Sequence, residues 1–321
     1  VTGVQTCALP IFFGGAVSRT STASGTPGIA PANDPLFERV AILGLGLLGG
    51  SVALAARARG VARSFAGAGR RPGPLKDALE RGIVDEIGDV ASATRGADLV
   101  VLATPVSSMP AVLEEIVPQL APGAIVTDVG SVKGAVAANL PGLLPDGVSF
   151  VGSHPMAGSH LKGVEHARAD LFEGACCVIT PLPDTPKLAS ARLRRFWEAL
   201  GARVEERDPA DHDDQTAWIS HAPHMLAFAF AHALRAAPHA AGELAGSGIK
   251  DFTRIARSDA ALWGDILSAN RKSLAAPLEN FCRSLAELTL AIESGNADKV
   301  EQFLASATEG LALIEPGTKD D

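Results

Sequence analysis

No tyrosine occurs anywhere in the 321 residues, so any mechanism that needs a phenol as general acid or base is excluded. Cysteine is scarce too. Its four residues, with Cys176 beside Cys177, make neither a disulfide framework nor a metal-ligand spacing. That usage fits a reducing cytoplasm, and no metal is expected. No uninterrupted apolar stretch is long enough to span a bilayer. Positive charge is in deficit, 28 Lys and Arg against 36 Asp and Glu, for a formal net charge of −8. A chain so charged is a poor nonspecific ligand for nucleic acid or an anionic membrane surface. What remains is a globular chain, 47% hydrophobic and 20% charged, long enough for two domains with sizeable cores.

Glycine is plentiful, and three glycines are placed with purpose. The apolar run at residues 40–43 reads as a buried parallel strand, and residues 53–59 have the composition of a helix. Between them lies a Gly-x-Gly-x-x-Gly turn, the dinucleotide fingerprint. Gly44 makes the tight turn, Gly46 lets backbone approach a pyrophosphate, and Gly49 lets helix and strand pack closely. With Leu47 and Leu48 they form the expected cofactor contact, at a helix N-terminus that favours phosphate. A second contact is expected at Thr104-Pro105, after the buried strand of residues 97–103. An acidic residue normally meets the adenosine ribose about 20 residues beyond the turn. Here Arg70 and Arg71 stand instead, and two guanidiniums suit a 2′-phosphate. NADP is therefore favoured, with NAD left open.

The rest of the chain falls into three parts. Residues 1–36 are expected to be a disordered or artefactual extension: 18–35 are rich in Ser, Thr, Gly, Pro and Ala, and residues 1–11 resemble translated adapter sequence. Residues 37–208 alternate strand and helix. Strands are expected near 64–69, 97–103, 124–128, 150–152, 177–180 and 203–206, with helices near 74–81, across 116–120 and over 188–200. The expectation is an α/β fold, a doubly wound Rossmann-type and mainly parallel sheet with its ligand at the strand C-terminal ends. Residues 209–315 read as all-helical, rich in Ala and Leu, broken at Gly246-Ser247-Gly248 and with Pro277 kinking or starting a helix. Long Ala/Leu faces favour pairing with a second copy, so a homodimer is expected.

Polar clusters mark where an α/β cleft would meet the helices: residues 128–134, 152–159, 220–224 and 250–256. Four motifs in this order, Gly-Leu-Gly-Leu-Leu-Gly-Gly-Ser, Gly-Ser-Val-Lys-Gly, Gly-Ser-His-Pro-Met-Ala-Gly and Asp-Phe-Thr-Arg-Ile-Ala, resemble those of the prephenate and arogenate dehydrogenases of tyrosine biosynthesis. The likeness runs from about Arg39 to Leu313. It implies that a small-molecule substrate, prephenate, gives a hydride to the nicotinamide and loses CO2, yielding 4-hydroxyphenylpyruvate.

By that resemblance His154 draws on the carbinol hydroxyl; a neutral imidazole with a pKa of about 6.5 suits such work near neutrality. Ser131 bonds the same hydroxyl or orients the imidazole. Prephenate is a dianion, and the resemblance gives Arg254 to a carboxylate, with Lys250 one helical turn away. His224 and Trp263 match residues at the substrate pocket, and Ser159 one beside it. His160 replaces a glutamate that many members carry. His221 and His224 could ligate a metal in principle, but no third ligand is apparent. Arogenate is the rival substrate, and a nucleotide-sensing regulator without catalysis is the reading outside enzymology.

Overall fold

In the computed structural model, which describes residues 34–158, 161–312 and 314, the chain alternates strand and helix up to residue 206. Residues 1–33, most of the expected extension, lie outside the described residues, as do Ser159 and His160. In chain order the elements are β1 (Phe37–Leu43), α1 (Leu47–Ala58), β2 (Ala62–Ala68), α2 (Pro72–Glu80), β3 (Glu86–Gly88), α3 (Val90–Thr94) and β4 (Leu99–Leu102). There follow α4 (Met109–Ile116), β5 (Ile125–Asp128), α5 (Gly134–Asn139), β6 (Ser149–Phe150), β7 (Gly152–Pro155), β8 (Cys176–Thr180), α6 (Lys187–Ala199) and β9 (Arg203–Glu206).

Six parallel strands form the main sheet in the order β3-β2-β1-β4-β5-β6. The order reverses between β1 and β4, the switch point where open α/β sheets bind ligands. Side chains of β1 alternate between two cores, as a strand's period of two demands. Val40 and Ile42 join Val52 and Ala56 of α1 and Leu193 and Trp197 of α6. Ala41 and Leu43 join Met109 and Leu113 of α4 and Val136 of α5. Helices thus cover both faces, which is why these strands read as unbroken apolar runs. The Ala-rich α1 closes where Gly60, at φ +62, takes the left-handed conformation. There the Gly60 and Val61 N–H groups bond back to Arg57 and Ala56, satisfying two terminal carbonyls.

Two local expectations need correction, and one strand was not foreseen. Residues 150–152 are not one strand: β6 pairs with β5 in the main sheet, whereas β7 runs antiparallel to β8 in a separate sheet ordered β7-β8-β9. Burial is continuous from Phe150 to Pro155, so no change of pattern marks the change of partner. The helix expected across 116–120 ends at Ile116, leaving residues 117–120 outside it. Pro118 has no N–H to continue one, so α4 stops at Ile116 and a 3-10 turn follows. The short β3, beside β2, was not expected at all.

From residue 209 the described chain is helical: α7 (Pro209–Thr216), a five-residue π turn (Ala217–His221), α8 (Ala222–Ala233), α9 (Ser247–Thr253), α10 (Ala260–Ala269), α11 (Ala275–Glu293) and α12 (Ala297–Leu311), with short 3-10 turns between. Gly246 caps the start of α9, and Pro277 sits in the first turn of α11, where its missing N–H does no harm. In α11 the only buried residue is Pro277, and α12 buries none. Leu285, Leu290, Ile292, Leu304 and Leu311 are each more than half exposed. Among the described residues no helix is long and apolar enough to cross a membrane.

Candidate active site

At the end of β1 the glycine turn has the shape its residues require. Gly44 lies at φ +114, and a Cβ there would sit 2.4 Å from the Ala103 carbonyl oxygen. A Cβ on Gly49 would stand 2.1 Å from the Gly44 oxygen, so helix and turn approach as only glycine permits. Gly46 differs. A Cβ there would meet nothing within 4 Å, and the turn is open on that side. Gly46 caps α1 without a side-chain hydrogen bond, leaving the N–H groups of the first turn, at half-buried Leu47 and Leu48, for an anion. Beyond β4 the Thr104 hydroxyl is buried with no hydrogen-bond partner among the described residues, and its backbone nitrogen packs beside Gly44; Pro105 next to it is exposed. This cradle and its orphaned hydroxyl fit a dinucleotide. Arg70 and Arg71, beyond β2, are exposed and have no ion pair among the described residues.

The turn after β5 is held from beneath. Asp128 and Lys133 are both fully buried and form an ion pair. The Asp128 carboxylate also accepts the N–H groups of Gly130, at 2.8 Å, and Ser153, at 3.2 Å. The Lys133 ammonium donates to the Ser153 carbonyl at 2.7 Å. Burial pushes the Lys133 pKa down, against the pull of Asp128. These bonds fasten the Ser131 turn to β7, and Ser131 itself is half-buried there. Among the described residues no hydrogen bond joins Ser131 to His154.

His154 follows Ser153 on β7 and is 7% exposed. Its Nδ1 lies 2.9 Å from Nε2 of His212, and the two rings meet edge to face. The Nδ1 of His212 in turn lies 2.9 Å from the Asp213 carboxylate. Both residues sit on α7, which starts at Pro209 behind an N-cap from Asp208. That start turns His212 and Asp213 inward and leaves Asp211 and Asp214 exposed. Asp213 also accepts the backbone N–H groups of Lys133, at 2.7 Å, and Gly134, at 2.8 Å. Burial pushes the His154 pKa well below the ordinary histidine value, and His212, Lys133 and His221 push the same way.

Opposite stand the helices. The π turn changes the register between α7 and α8, exposing Trp218 and Ile219 while burying His221. His221 accepts at Nδ1 from the Asn270 amide nitrogen, 2.9 Å away, and its Nε2 is buried without a partner among the described residues. Burial takes its pKa down to about 4. His224 on α8 donates from Nδ1 to the Ser220 carbonyl at 2.9 Å and stacks on Trp263 of α10, ring centroids 3.7 Å apart. Trp263 is buried with Val132, the neighbour of Ser131, so the stacked pair lies against the turn after β5. The His224 pKa is lowered, mainly by burial and secondarily by the charge of Arg254 close by. Arg254 follows α9 in an exposed turn, and Lys250 is exposed on α9 itself. Ser159 and His160 lie outside the described residues.

Sequence reasoning left Asp128, Lys133, His212, Asp213 and Asn270 without roles. For Lys133 the signal was present, a lysine inside a quoted motif directly after a buried strand. His212 and Asp213 gave none that stood out from the acidic run around them.

A parallel sheet with its glycine turn at the switch point, a helical block behind it and a buried histidine facing that block define a nucleotide-binding oxidoreductase of two parts. Within that class the chain belongs to the prephenate dehydrogenase family. Residues 52–206 match the family model for its nucleotide-binding domain, and residues 208–306 the model for its dimerization domain. The prephenate dehydrogenase of Bacillus subtilis is 32% identical over 87% of this chain and 78% of its own length. The cyclohexadienyl dehydrogenase of Zymomonas mobilis is 34% identical over 87% and 97%. Among solved structures, Aquifex aeolicus prephenate dehydrogenase in complex with hydroxyphenyl propionate and NAD+ superposes with a TM-score of 0.80. It is 32% identical, with 87% of this chain and 98% of that one covered.

Proposed function

We propose that this chain oxidises prephenate to 4-hydroxyphenylpyruvate and CO2, passing a hydride to NAD(P)+. The observation that carries the reading is the setting of His154: a buried imidazole whose Nδ1 is engaged by His212, leaving Nε2 as the nitrogen for a substrate hydroxyl. The bound nicotinamide supplies the hydride acceptor. His154 takes the carbinol O–H proton as the C–H hydride leaves. When CO2 departs, its bonding electrons complete the aromatic ring, and the proton returns to the same oxygen. A base that must take a proton and give it back is served by a depressed pKa, because an imidazolium held too firmly would not return it. Arg254 pairs with a substrate carboxylate through its planar fork, with Lys250 in support. His224 and Trp263 wall the pocket, Ser131 bonds the reacting hydroxyl, and Ser159 lies beside the substrate.

Residues 37–208 carry the nucleotide in this reading, and 209–315 the substrate and a homodimer contact. The apolar faces of α11 and α12 support the dimer, since leaving so many Leu and Ile side chains in water is unfavourable at about 25 cal/mol per Å2. Exposed Arg70 and Arg71 support NADP over NAD. The proposed location is the cytoplasm, and Cys176, Cys177 and Cys282, all free thiols, are in keeping with it.

The test is a four-way assay of purified protein, prephenate or arogenate with NAD+ or NADP+, following reduced cofactor. Prephenate with NADP+ is expected to give the highest kcat/KM, and His154→Asn to abolish most of kcat. No turnover of prephenate with either cofactor refutes the activity, and equal kcat/KM for both cofactors refutes the NADP preference.

A further inference from the structure

Resting on the reading of His154 as the proton acceptor, we propose that His212 and Asp213 are positioning residues. In series they hold His154 in the tautomer whose Nε2 carries the lone pair, and tie it to the turn that bears Ser131.

The assignment follows from counting hydrogens along two contacts. A carboxylate only accepts, so at 2.9 Å from Asp213 it is the Nδ1 of His212 that bears the proton. A neutral imidazole carries one proton, so the Nε2 of His212 is an acceptor. The contact of 2.9 Å to His154 then requires the Nδ1–H of His154 to donate, and its Nε2 is left bare. With both imidazoles neutral and Asp213 ionised, no other placement of protons satisfies both contacts. A second proton on His212 would reverse the last bond and put a hydrogen on the Nε2 meant to receive one.

Asp213 does more than set a tautomer. Its two oxygens receive the Lys133 and Gly134 backbone N–H groups. One carboxylate therefore anchors the turn after β5 and, through His212, the imidazole on β7. Its own backbone carbonyl takes the amide of Asn270, the C-cap of α10, whose nitrogen also meets His221. Displacing Asp213 would release Ser131 and His154 together. The charged and titratable groups around the pair are Lys133 and Asp128 from β5 and its turn, Cys177 from β8, and Asp213 and His221 from the helical block.

His212→Leu and His212→Gln separate positioning from packing. Leucine fills space and makes neither bond, whereas one glutamine amide can both accept and donate, as His212 does. For the leucine variant kcat is expected to fall on the order of 100-fold or more, the range of a misdirected general base, with KM for prephenate within about three-fold. Glutamine is expected to restore kcat to within about ten-fold of the parent. Nitrogen-15 NMR of the NADP+-loaded enzyme supplies a readout that does not need turnover. His154 is expected as the Nδ1–H tautomer in the parent, moving toward Nε2–H in the leucine variant. The proposal is overturned if the parent carries Nε2–H at His154, or if the leucine variant keeps kcat within about three-fold. A parent enzyme inert toward prephenate would instead count against the proposed activity. The tautomer spectrum would still decide the hydrogen-bond chain, as it would were the leucine variant not to fold.

Discussion

Replacing Lys133 by methionine should be among the most damaging single changes outside the apolar core. Methionine has nearly the lysine stem's shape, so the packing term is small. What changes is electrostatic. The Asp128 carboxylate loses its ion-pair partner while fully buried, and the Ser153 carbonyl loses the donor 2.7 Å away. Removing one member of a buried pair typically costs about 3–5 kcal/mol, because the remaining charge is left in a medium that solvates it poorly. In a protein this large, that corresponds to a drop in Tm on the order of 10 °C. Asp128 still accepts from Gly130 and Ser153, and those two N–H groups keep the loss from being larger.

A double-mutant cycle isolates the cause. In Asp128→Asn with Lys133→Met the uncompensated charge is gone, and the asparagine oxygen can still accept one backbone N–H. The double variant should therefore recover about 1–3 kcal/mol relative to Lys133→Met alone, the scale of one desolvated polar group. Urea and thermal melts of the two singles and the double at one pH give the cycle. If Lys133→Met costs less than about 1 kcal/mol, or the two singles simply add, the pair does not hold the Ser131 turn in the way described.

Three further outcomes follow from the same site. Gly46→Ala should leave Tm within a degree or two, since a Cβ there meets nothing within 4 Å, yet weaken cofactor binding about ten-fold or more; Gly49→Ala, with a Cβ 2.1 Å from the Gly44 oxygen, should fold poorly, and equal Tm values for the two would refute this. Arg254→Ala should raise KM for prephenate about ten-fold with kcat little changed, the loss expected of one charge-assisted contact, and steady-state kinetics showing an unchanged KM would count against the assignment. Folding stability should fall as pH drops through the window from about 6.5 to about 4, because the unfolded chain protonates His221 there while the folded one does not. Its full size is about 3 kcal/mol, so His221→Gln should flatten the slope measured by urea melts at pH 7 and pH 5, and an unchanged slope would refute the buried neutral state.

How much of this was legible beforehand depended on whether a residue's neighbours in sequence were also its neighbours in space. The nucleotide turn was readable because strand, glycines and helix are contiguous, and each glycine answers a local steric demand that the structure displays at Gly44 and Gly49. The parallel, doubly wound character of the main sheet followed from the alternation of elements. The second sheet did not, since Phe150 and His154 are equally buried and nothing local tells a strand to leave one partner for another.

The site divided in the same way. His154 was visible as part of a motif, while the groups that orient it were hidden within Asp211-His212-Asp213-Asp214. By composition that is a solvated helix start, and for Asp211 and Asp214 it is one. His212 and Asp213 turn inward only because α7 begins at Pro209, and their burial is tolerable only because β7, the turn after β5 and α10 bring the missing partners. A buried carboxylate that holds its neighbour His212 and two backbone N–H groups from the distant turn after β5 is a tertiary fact. It has no period, spacing or composition by which to announce itself, so such supporting shells are the part of an active site that sequence reasoning is least able to reach.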